Sequence, residues 1–147
     1  MPPNHFKAFI DLRVGYADTD AQGVLYYGNF FSFFDRARFE YWHQLGLNDK
    51  EIKDLEQTTV MVEVHCHYKA SAEFYDLLRV YSRVAWIGRS SLSMKYSLCQ
   101  ANSDALLAEG ETIVVNTNRE TGKSAPLPDQ LVTLIKQFEG TSLEARA

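Results

Sequence analysis

The chain of 147 residues is 46% hydrophobic and 23% charged, which fits one globular domain over residues 1–147 that buries roughly 70% of its unfolded surface. The formal net charge is −4 and the 15 Lys and Arg residues are scattered, so no basic stripe suits a nucleic acid backbone. No apolar run approaches the roughly 18 residues of a membrane span, and the start lacks a secretion pattern. Two cysteines without a C-x-x-C pair favour a reducing compartment. We therefore expect a cytoplasmic protein without nucleic acid or membrane partners.

Alternation of apolar and polar residues predicts a first strand that begins near Ala8. Apolar residues at every second position share one face, while charged residues fall largely on the other face, which is the period of a half-buried strand. The apolar face consists of Ala8, Ile10, Leu12, Val14 and Tyr16. A polar segment from Asp18 to Gly23 then ends the pattern.

From about Gly28 the apolar period changes to that of a helix. The stripe consists of Phe30, Phe34, Ala37, Tyr41 and Leu45, and Phe31, Phe33 and Trp42 widen it. So broad an apolar face predicts a long, largely buried helix, which Gly46 can end. Asn48 and Glu51 have the spacing of a capping box for a second helix to about Glu56.

Four segments rich in β-branched and aromatic residues follow, with turn residues around them. They run from Thr58 to Tyr68, Phe74 to Ile87, Ser90 to Ala101 and Leu106 to Asn118. A last short helix is expected between Pro128 and Gly140. Consecutive strands with short connections indicate an antiparallel sheet, so we predict an α+β fold in which about five strands wrap around one long helix. The open edges of such a sheet favour a homodimer.

A motif lies between the first strand and the long helix. It reads YADTDAQGVLYYGNF from Tyr16 to Phe30, and Ala37-Arg38 follows. The motif resembles the signature of the 4-hydroxybenzoyl-CoA thioesterase family of hotdog-fold proteins. Weaker similarity continues from Tyr68 to Asp76, from Ala108 to Thr112 and from Pro126 to Pro128. The resemblance implies a hotdog homodimer or homotetramer that hydrolyses acyl-CoA thioesters to free acid and CoA.

Three residues receive catalytic roles. In the family the second aspartate of the D-x-D element is catalytic, so the resemblance places that role on Asp20, as nucleophile or general base. It places polarisation of the thioester carbonyl on the backbone N–H matching Tyr27, and free N–H groups at a helix start suit that task. Thr59 aligns with a hydroxyl that contacts the reacting end of the substrate, or is an ordinary strand threonine. Asp18 is interpreted as structural.

Five further residues are predicted to serve the substrate. Gly23 allows a tight turn or a close backbone approach to the ligand, Gly28 lies at the helix start, and Asn29 can hold the loop by hydrogen bonds. Arg89 and Lys123 follow glycine turns, where the family's nucleotide-contacting basic residues tend to fall, and cations there would meet the CoA phosphates. Either one could instead be a solvated surface charge.

Other interpretations of these residues stay open. The Asp18-Thr19-Asp20 segment could be turn and cap chemistry alone. His65 and His67 share one face of a strand with Cys66 opposite, a spacing that could supply two metal ligands. No third ligand is evident from position, so we predict neither a metal nor a cofactor. The thiolate of CoA is a good leaving group and needs no metal.

Two alternative functions remain at the sequence level. A hotdog hydratase or dehydratase would want a histidine paired with a carboxylate near the helix, and His43 lies toward the far end of that helix. Nothing positive favours a non-catalytic acyl-binding module. The Tyr26-Tyr27-Gly28 segment matches neither of the family's main loop patterns, so the acyl group stays undefined.

Overall fold

The computed structural model describes residues 5–146. The strands are β1 (Ala8–Arg13), β2 (Thr59–Tyr68), β3 (Leu77–Ile87), β4 (Ser91–Gln100) and β5 (Leu106–Asn116). The α-helices are α1 (Phe30–Leu45), α2 (Asp49–Thr58) and α3 (Asp129–Glu139), and short 3-10 turns cover Tyr16–Asp18, Tyr27–Asn29 and Gly140–Ser142. The strands pair antiparallel in the order β1-β3-β4-β5-β2. The predicted α+β fold of five strands and one long helix is confirmed. No helix within residues 5–146 has the length and apolar character needed to cross a membrane.

The long helix α1 is buried because apolar side chains cover most of its surface. Its buried residues are Phe30, Phe33, Phe34, Ala37, Arg38, Tyr41, Trp42 and Leu45. The sheet supplies the facing half of the core through residues such as Leu92, Met94 and Leu98. Full burial of one large apolar side chain stabilises a fold by roughly 1.5–3 kcal/mol. The helix ends at Gly46, whose φ of 105° lies in the left-handed region that glycine adopts without steric cost.

Helix α1 approaches the sheet very closely at Gly110 of β5. A Cβ atom at this position would lie 2.4 Å from a ring carbon of Phe34, so a larger residue would push the helix outward. The Phe34 ring stacks on Tyr96 of β4, with ring centroids 4.7 Å apart and an interplanar angle of 15°. This contact fixes how deep the helix lies, and with it the position of the helix N-terminus.

A partly buried ion pair joins α1 to α2. Arg38 is 6% exposed, and its guanidinium donates to the two carboxylate oxygens of Glu56 at 3.1 and 3.2 Å. The indole of Trp42 also donates to Glu56, at 3.0 Å. The predicted capping box is confirmed, because the Asn48 side chain accepts from the Glu51 N–H while the Glu51 carboxylate accepts from the Asn48 N–H. These contacts set the direction in which α2 delivers the chain to β2.

The first strand is shorter than predicted, and the placement of Tyr16 on its buried face is wrong. The Gly15 N–H donates to Asp18 Oδ2 at 2.8 Å, which closes a 3-10 turn directly after the strand. Tyr16 begins this turn and is 84% exposed. The strand therefore ends where the Asp18 side chain closes this turn, although the alternation of apolar and polar residues continues to Tyr16.

Strand β2 forms an open edge of the sheet. It pairs with β5 on one side, and eight of its ten residues are exposed. The exposed apolar residues of this strand are Val60, Met61, Val62, Val64 and Tyr68. A long apolar edge is a template for pairing with another chain, and no part of residues 5–146 covers it.

Helix α3 is fastened to α1 and β3 by a buried carboxylate. Glu139 is fully buried, and its Oε2 accepts from the Tyr41 hydroxyl at 2.5 Å and from the Val84 N–H at 3.1 Å. Its Oε1 accepts from the Ser142 hydroxyl at 3.0 Å. Burial and the Glu139 carboxylate raise the pKa of Tyr41 far above its usual range, so the hydroxyl remains a donor. Both carboxylate oxygens thus have the partners that burial requires.

Replacement of Tyr41 by Phe should lower the free energy of unfolding by about 1–3 kcal/mol, because the buried Glu139 carboxylate loses a donor. Chemical denaturation measures this change. The control is Tyr75→Phe, which removes the hydroxyl of an exposed tyrosine and should change stability by less than about 0.5 kcal/mol. Equal losses in the two variants would contradict the role assigned to the buried bond.

Candidate active site

The segment between β1 and α1 forms a tight turn around Asp20. The Asp20 N–H donates to the Val24 carbonyl at 2.9 Å, and the Gly23 N–H donates to the Asp20 carbonyl at 3.0 Å. Gly23 has a φ of 78°, in the region that glycine favours. On the half-buried Asp20 side chain, Oδ1 accepts from the Gln22 N–H at 2.8 Å. The second oxygen, Oδ2, has no donor within residues 5–146 and is available for chemistry.

Backbone and side-chain bonds tie this turn to the start of α1. The Asp18 carbonyl accepts from the Tyr26 N–H at 2.9 Å and from Asn29 Nδ2 at 3.0 Å. An isolated antiparallel bridge between Thr19 and Leu25 lies beside these bonds. The chain therefore folds back on itself, with Asp18 opposite Tyr26 and Asp20 opposite Val24, in the turn that leads into the helix.

The start of the helix presents free backbone donors. Tyr27 and Gly28 are the first two residues of the 3-10 turn that leads into α1, and neither N–H has an acceptor within residues 5–146. Such N–H groups carry the positive end of the helix dipole and suit a developing oxyanion. A Cβ at Gly28 would lie 2.8 Å from the Tyr26 ring. Glycine therefore lets that ring lie against the backbone of the turn.

Tyr68, at the end of β2, belongs to this site, although the sequence alone did not predict it as a site residue. Its hydroxyl donates to the Tyr27 carbonyl at 2.8 Å, and its ring packs against Phe30 with centroids 4.9 Å apart. Burial and the neighbouring Cys66 raise the pKa of Tyr68 to about 12, so the hydroxyl remains a donor. Burial also raises the pKa of the Cys66 thiol, which argues against a thiolate nucleophile here.

Three predicted site residues lie at the opposite end of the sheet from Asp20. Thr59 begins β2, whose last residue, Tyr68, touches the turn. A ten-residue strand spans about 30 Å at ~3.3 Å per residue. Arg89 lies in the turn between β3 and β4 and Lys123 in the loop after β5, and both are exposed. A single chain does not bring these three residues to Asp20.

The two histidines of β2 lie on the sheet face opposite α1. Both are exposed, and their cross-strand partners are Glu111 for His65 and Glu109 for His67. Within residues 5–146, no three His, Cys, Asp or Glu side chains are grouped so that they could hold a metal ion.

A sheet of this order wrapped around one long helix is the hotdog fold, and solved structures share it. A 1,4-dihydroxy-2-naphthoyl-CoA thioesterase from Synechocystis superposes with a TM-score of 0.79 at 26% identity, covering 87% of this chain and 94% of that chain. A thioesterase from Thermus thermophilus, complexed with coenzyme A and Zn, superposes with a TM-score of 0.80 at 24% identity, covering 94% and 98%.

The sequence comparisons define the family. The family model described as the thioesterase-like superfamily matches residues 14–135. The acyl-CoA thioester hydrolase YbgC of Escherichia coli is 29% identical over 126 residues, which cover 86% of this chain and 93% of the relative. The chain therefore belongs to the thioesterase-like superfamily, and the predicted hotdog thioesterase resemblance is confirmed.

Substitution of Tyr68 by Phe should loosen the turn at Tyr27, because it removes the hydroxyl that bonds the turn to β2. We expect faster amide hydrogen exchange over the first turn of α1 and a loss of about 1 kcal/mol in the free energy of unfolding. NMR-detected exchange measures the first effect. Tyr16→Phe, at an 84% exposed position, is the control. Unchanged exchange in the Tyr68 variant would show that this bond does not hold the turn.

Proposed function

We propose that this chain is an acyl-CoA thioesterase that hydrolyses a thioester to free acid and CoA. The observation that carries the proposal is the position of the Asp20 carboxylate in the same folded-back turn as the free N–H groups of Tyr27 and Gly28. Membership of the thioesterase-like superfamily and the acyl-CoA thioester hydrolase among its relatives support the assignment.

The chemistry divides between a base and a pair of donors. Asp20 acts either as general base, which activates the water that adds to the thioester carbonyl carbon, or as nucleophile, which adds to that carbon itself. The Tyr27 and Gly28 N–H groups stabilise the negative charge that develops on the carbonyl oxygen. When water adds directly, the carbon–sulfur bond then breaks and the CoA thiolate takes up the proton released from water. When Asp20 adds, the carbon–sulfur bond breaks to leave an acyl–Asp20 anhydride and the thiolate, and water then hydrolyses the anhydride, which frees the acid and the Asp20 carboxylate and supplies the proton for the thiolate.

We place the remaining substrate contacts in a homodimer joined through β2. Antiparallel pairing of two copies of this strand around a two-fold axis puts the Thr59 end of one copy beside the Tyr68 end of the other. The Thr59 hydroxyl, with Arg89 and Lys123, then approaches Asp20 of the other copy. The same pairing covers the exposed apolar edge. Gly23 and Asn29 serve the site by shaping the turn and holding it against the helix start.

The proposal also covers the oligomeric state and the cellular location of the enzyme. We expect two such dimers to pair into a homotetramer, as the family resemblance implies. We expect the enzyme to act in the cytoplasm, where the free Cys66 and Cys99 would stay reduced. His43 does not support the hydratase alternative, because it is exposed in the last turn of α1, at the end of the helix away from Asp20.

The substitution Asp20→Asn tests the catalytic role. It nearly preserves shape and keeps an oxygen that can accept from the Gln22 N–H, but it removes basicity, so kcat should fall by ~10²- to 10⁴-fold while folding is little changed. If Asp20 were only a cap, Asn would serve almost as well. Thiol release from a panel of acyl-CoAs measures the rate. Asp18→Asn is the control, with at most a modest loss of rate expected. A folded Asp20→Asn dimer that works at nearly the parent rate would refute the assignment.

Replacement of both Arg89 and Lys123 by Ala should raise KM for acyl-CoA, leave kcat nearly unchanged, and weaken the salt dependence of binding. The reason is that these cations would contact the nucleotide phosphates and not the reacting carbonyl.

Mixed dimers then test whether the site is shared. Each mixed dimer has one chain with Asp20→Asn and one chain with the Arg89 and Lys123 substitutions. If the site is shared between chains, one of its two sites is intact and the other carries all three substitutions. At low acyl-CoA concentration, the activity of the mixed dimers should therefore exceed the sum of the activities of the two variants measured alone. Activity equal to that sum, or a monomeric mass of the parent protein, would contradict the shared site.

A further inference from the structure

A tail of residues 143–146 follows the 3-10 turn after α3 and lies against β3 and β4 on the sheet face opposite α1. The Glu144 N–H donates to the Ala85 carbonyl of β3 at 2.6 Å. The Glu144 carboxylate accepts from the Arg83 guanidinium and from Lys95 Nζ, the latter bond at 3.2 Å. Because Arg83 and Lys95 are cross-strand partners, they hold the carboxylate from adjacent strands. One backbone bond and this pair of cations therefore fix the course of the tail.

The tail brings Arg146 to the turn that joins β3 to β4. The Cζ atom of Arg146 lies over the half-buried ring of Trp86, 4.9 Å from the ring centroid. A Cβ atom at Gly88 would lie 2.7 Å from Arg146 Nη1, so the guanidinium lies directly against the backbone of the turn. The next residue of the turn is Arg89, to which the proposed function assigns a contact with the phosphates of CoA. Two arginines thus meet at one turn.

The charges of these two arginines are not neutralised by the protein. Other arginines, such as Arg38, Arg79 and Arg83, each contact a carboxylate. Within residues 5–146, the guanidinium groups of Arg89 and Arg146 have no hydrogen-bond or ion-pair partner. The Trp86 ring holds its cation in place but carries no negative charge. Neighbouring like charges repel each other, and an anion bound between them relieves the repulsion.

Lys123 lies at the same end of the sheet as this turn. The Leu127 N–H donates to the Arg89 carbonyl at 2.9 Å, which joins the loop after β5 to the turn, and Lys123 belongs to that loop. Arg146 then lies on the β3 side of Arg89, and Lys123 lies on the β5 side. CoA carries a diphosphate and a separate phosphate on its ribose. Three cations spread along one end of the sheet suit these two groups better than two cations do.

We propose that the tail supplies Arg146 as a third phosphate contact and thereby makes the enzyme select thioesters that carry the CoA nucleotide. The inference rests on the proposed thioesterase function and adds to it a residue and a selectivity. Arg146 of one copy binds a phosphate of the acyl-CoA whose thioester lies at Asp20 of the other copy. Glu144 is a positioning residue, because its two cations determine where the tail reaches the turn. A thioester of pantetheine lacks the nucleotide and gains nothing from either residue.

Binding of CoA tests the phosphate contact without hydrolysis. Arg146→Gln removes the charge, so calorimetric titration should show a Kd for CoA raised about tenfold and a smaller effect of salt on binding. Lys136→Gln, which removes an exposed cation of α3, is the matched control and should leave the Kd for CoA unchanged. An Arg146→Gln variant that binds CoA as tightly as the parent, or equal losses in the two variants, would overturn the proposal.

Kinetics separate this inference from the proposed function. With acyl-CoA, Arg146→Gln should raise KM about tenfold at nearly unchanged kcat, whereas hydrolysis of the matching acyl-pantetheine should keep the parent's kcat/KM. An equal loss with both substrates would overturn the proposed selectivity and leave the thioesterase function standing. A parent protein that binds CoA through Arg146 but hydrolyses no thioester would refute the thioesterase function and leave the phosphate contact standing.

A double-mutant cycle tests the positioning role of Glu144. Glu144→Ala releases the tail from β3 and β4, so it should raise KM for acyl-CoA but not for acyl-pantetheine. Because Glu144 acts through Arg146, adding Glu144→Ala to Arg146→Gln should cause no further rise in KM. Additive losses in the double variant, or an equal effect of Glu144→Ala on both substrates, would contradict the positioning role.

Discussion

The close contact between Phe34 of α1 and Gly110 of β5 determines how deep α1 lies against the sheet, and the position of the candidate site depends on that depth. Because a Cβ at Gly110 would overlap the Phe34 ring, only glycine lets α1 lie this close to β4 and β5. The depth of α1 in turn places its first turn, which Tyr68 pins to the end of β2. The donors of Tyr27 and Gly28 are thus held by the packed core as well as by a loop, which is the preorganisation that stabilisation of an oxyanion requires.

In the proposed homodimer, the open edge of β2 and the division of the site between two chains are two aspects of one arrangement. A single chain has a carboxylate and backbone donors at one end of β2, but its candidate phosphate-binding cations lie near the other end, about 30 Å away along a ten-residue strand. Only an antiparallel neighbour brings the two ends together. In that dimer the exposed apolar residues of the edge, such as Val62 and Val64, would serve catalysis as well as stability.

Local signals in the sequence predicted most of the fold, and contacts distant in sequence account for what was missed. The apolar stripe of α1 and the capping box of Asn48 and Glu51 depend on residues three or four positions apart, so they can be read directly. Tyr16 was misplaced because the Asp18 carboxylate closes a turn that alternation does not reveal. Tyr68 contacts Tyr27 across 41 residues, a separation that no local sequence pattern covers.

The turn and catalytic interpretations of Asp20 do not exclude each other. The Gln22 N–H engages Oδ1, as in an ordinary turn made by aspartate, and this bond restricts the rotation of the carboxylate. Oδ2 is thereby held at a defined orientation in the turn that leads into α1. A reacting group must be positioned before its basicity is of use. The turn chemistry of one oxygen would therefore support the role of nucleophile or base that we propose for the other, and under that proposal an asparagine in its place keeps the turn while losing the reaction.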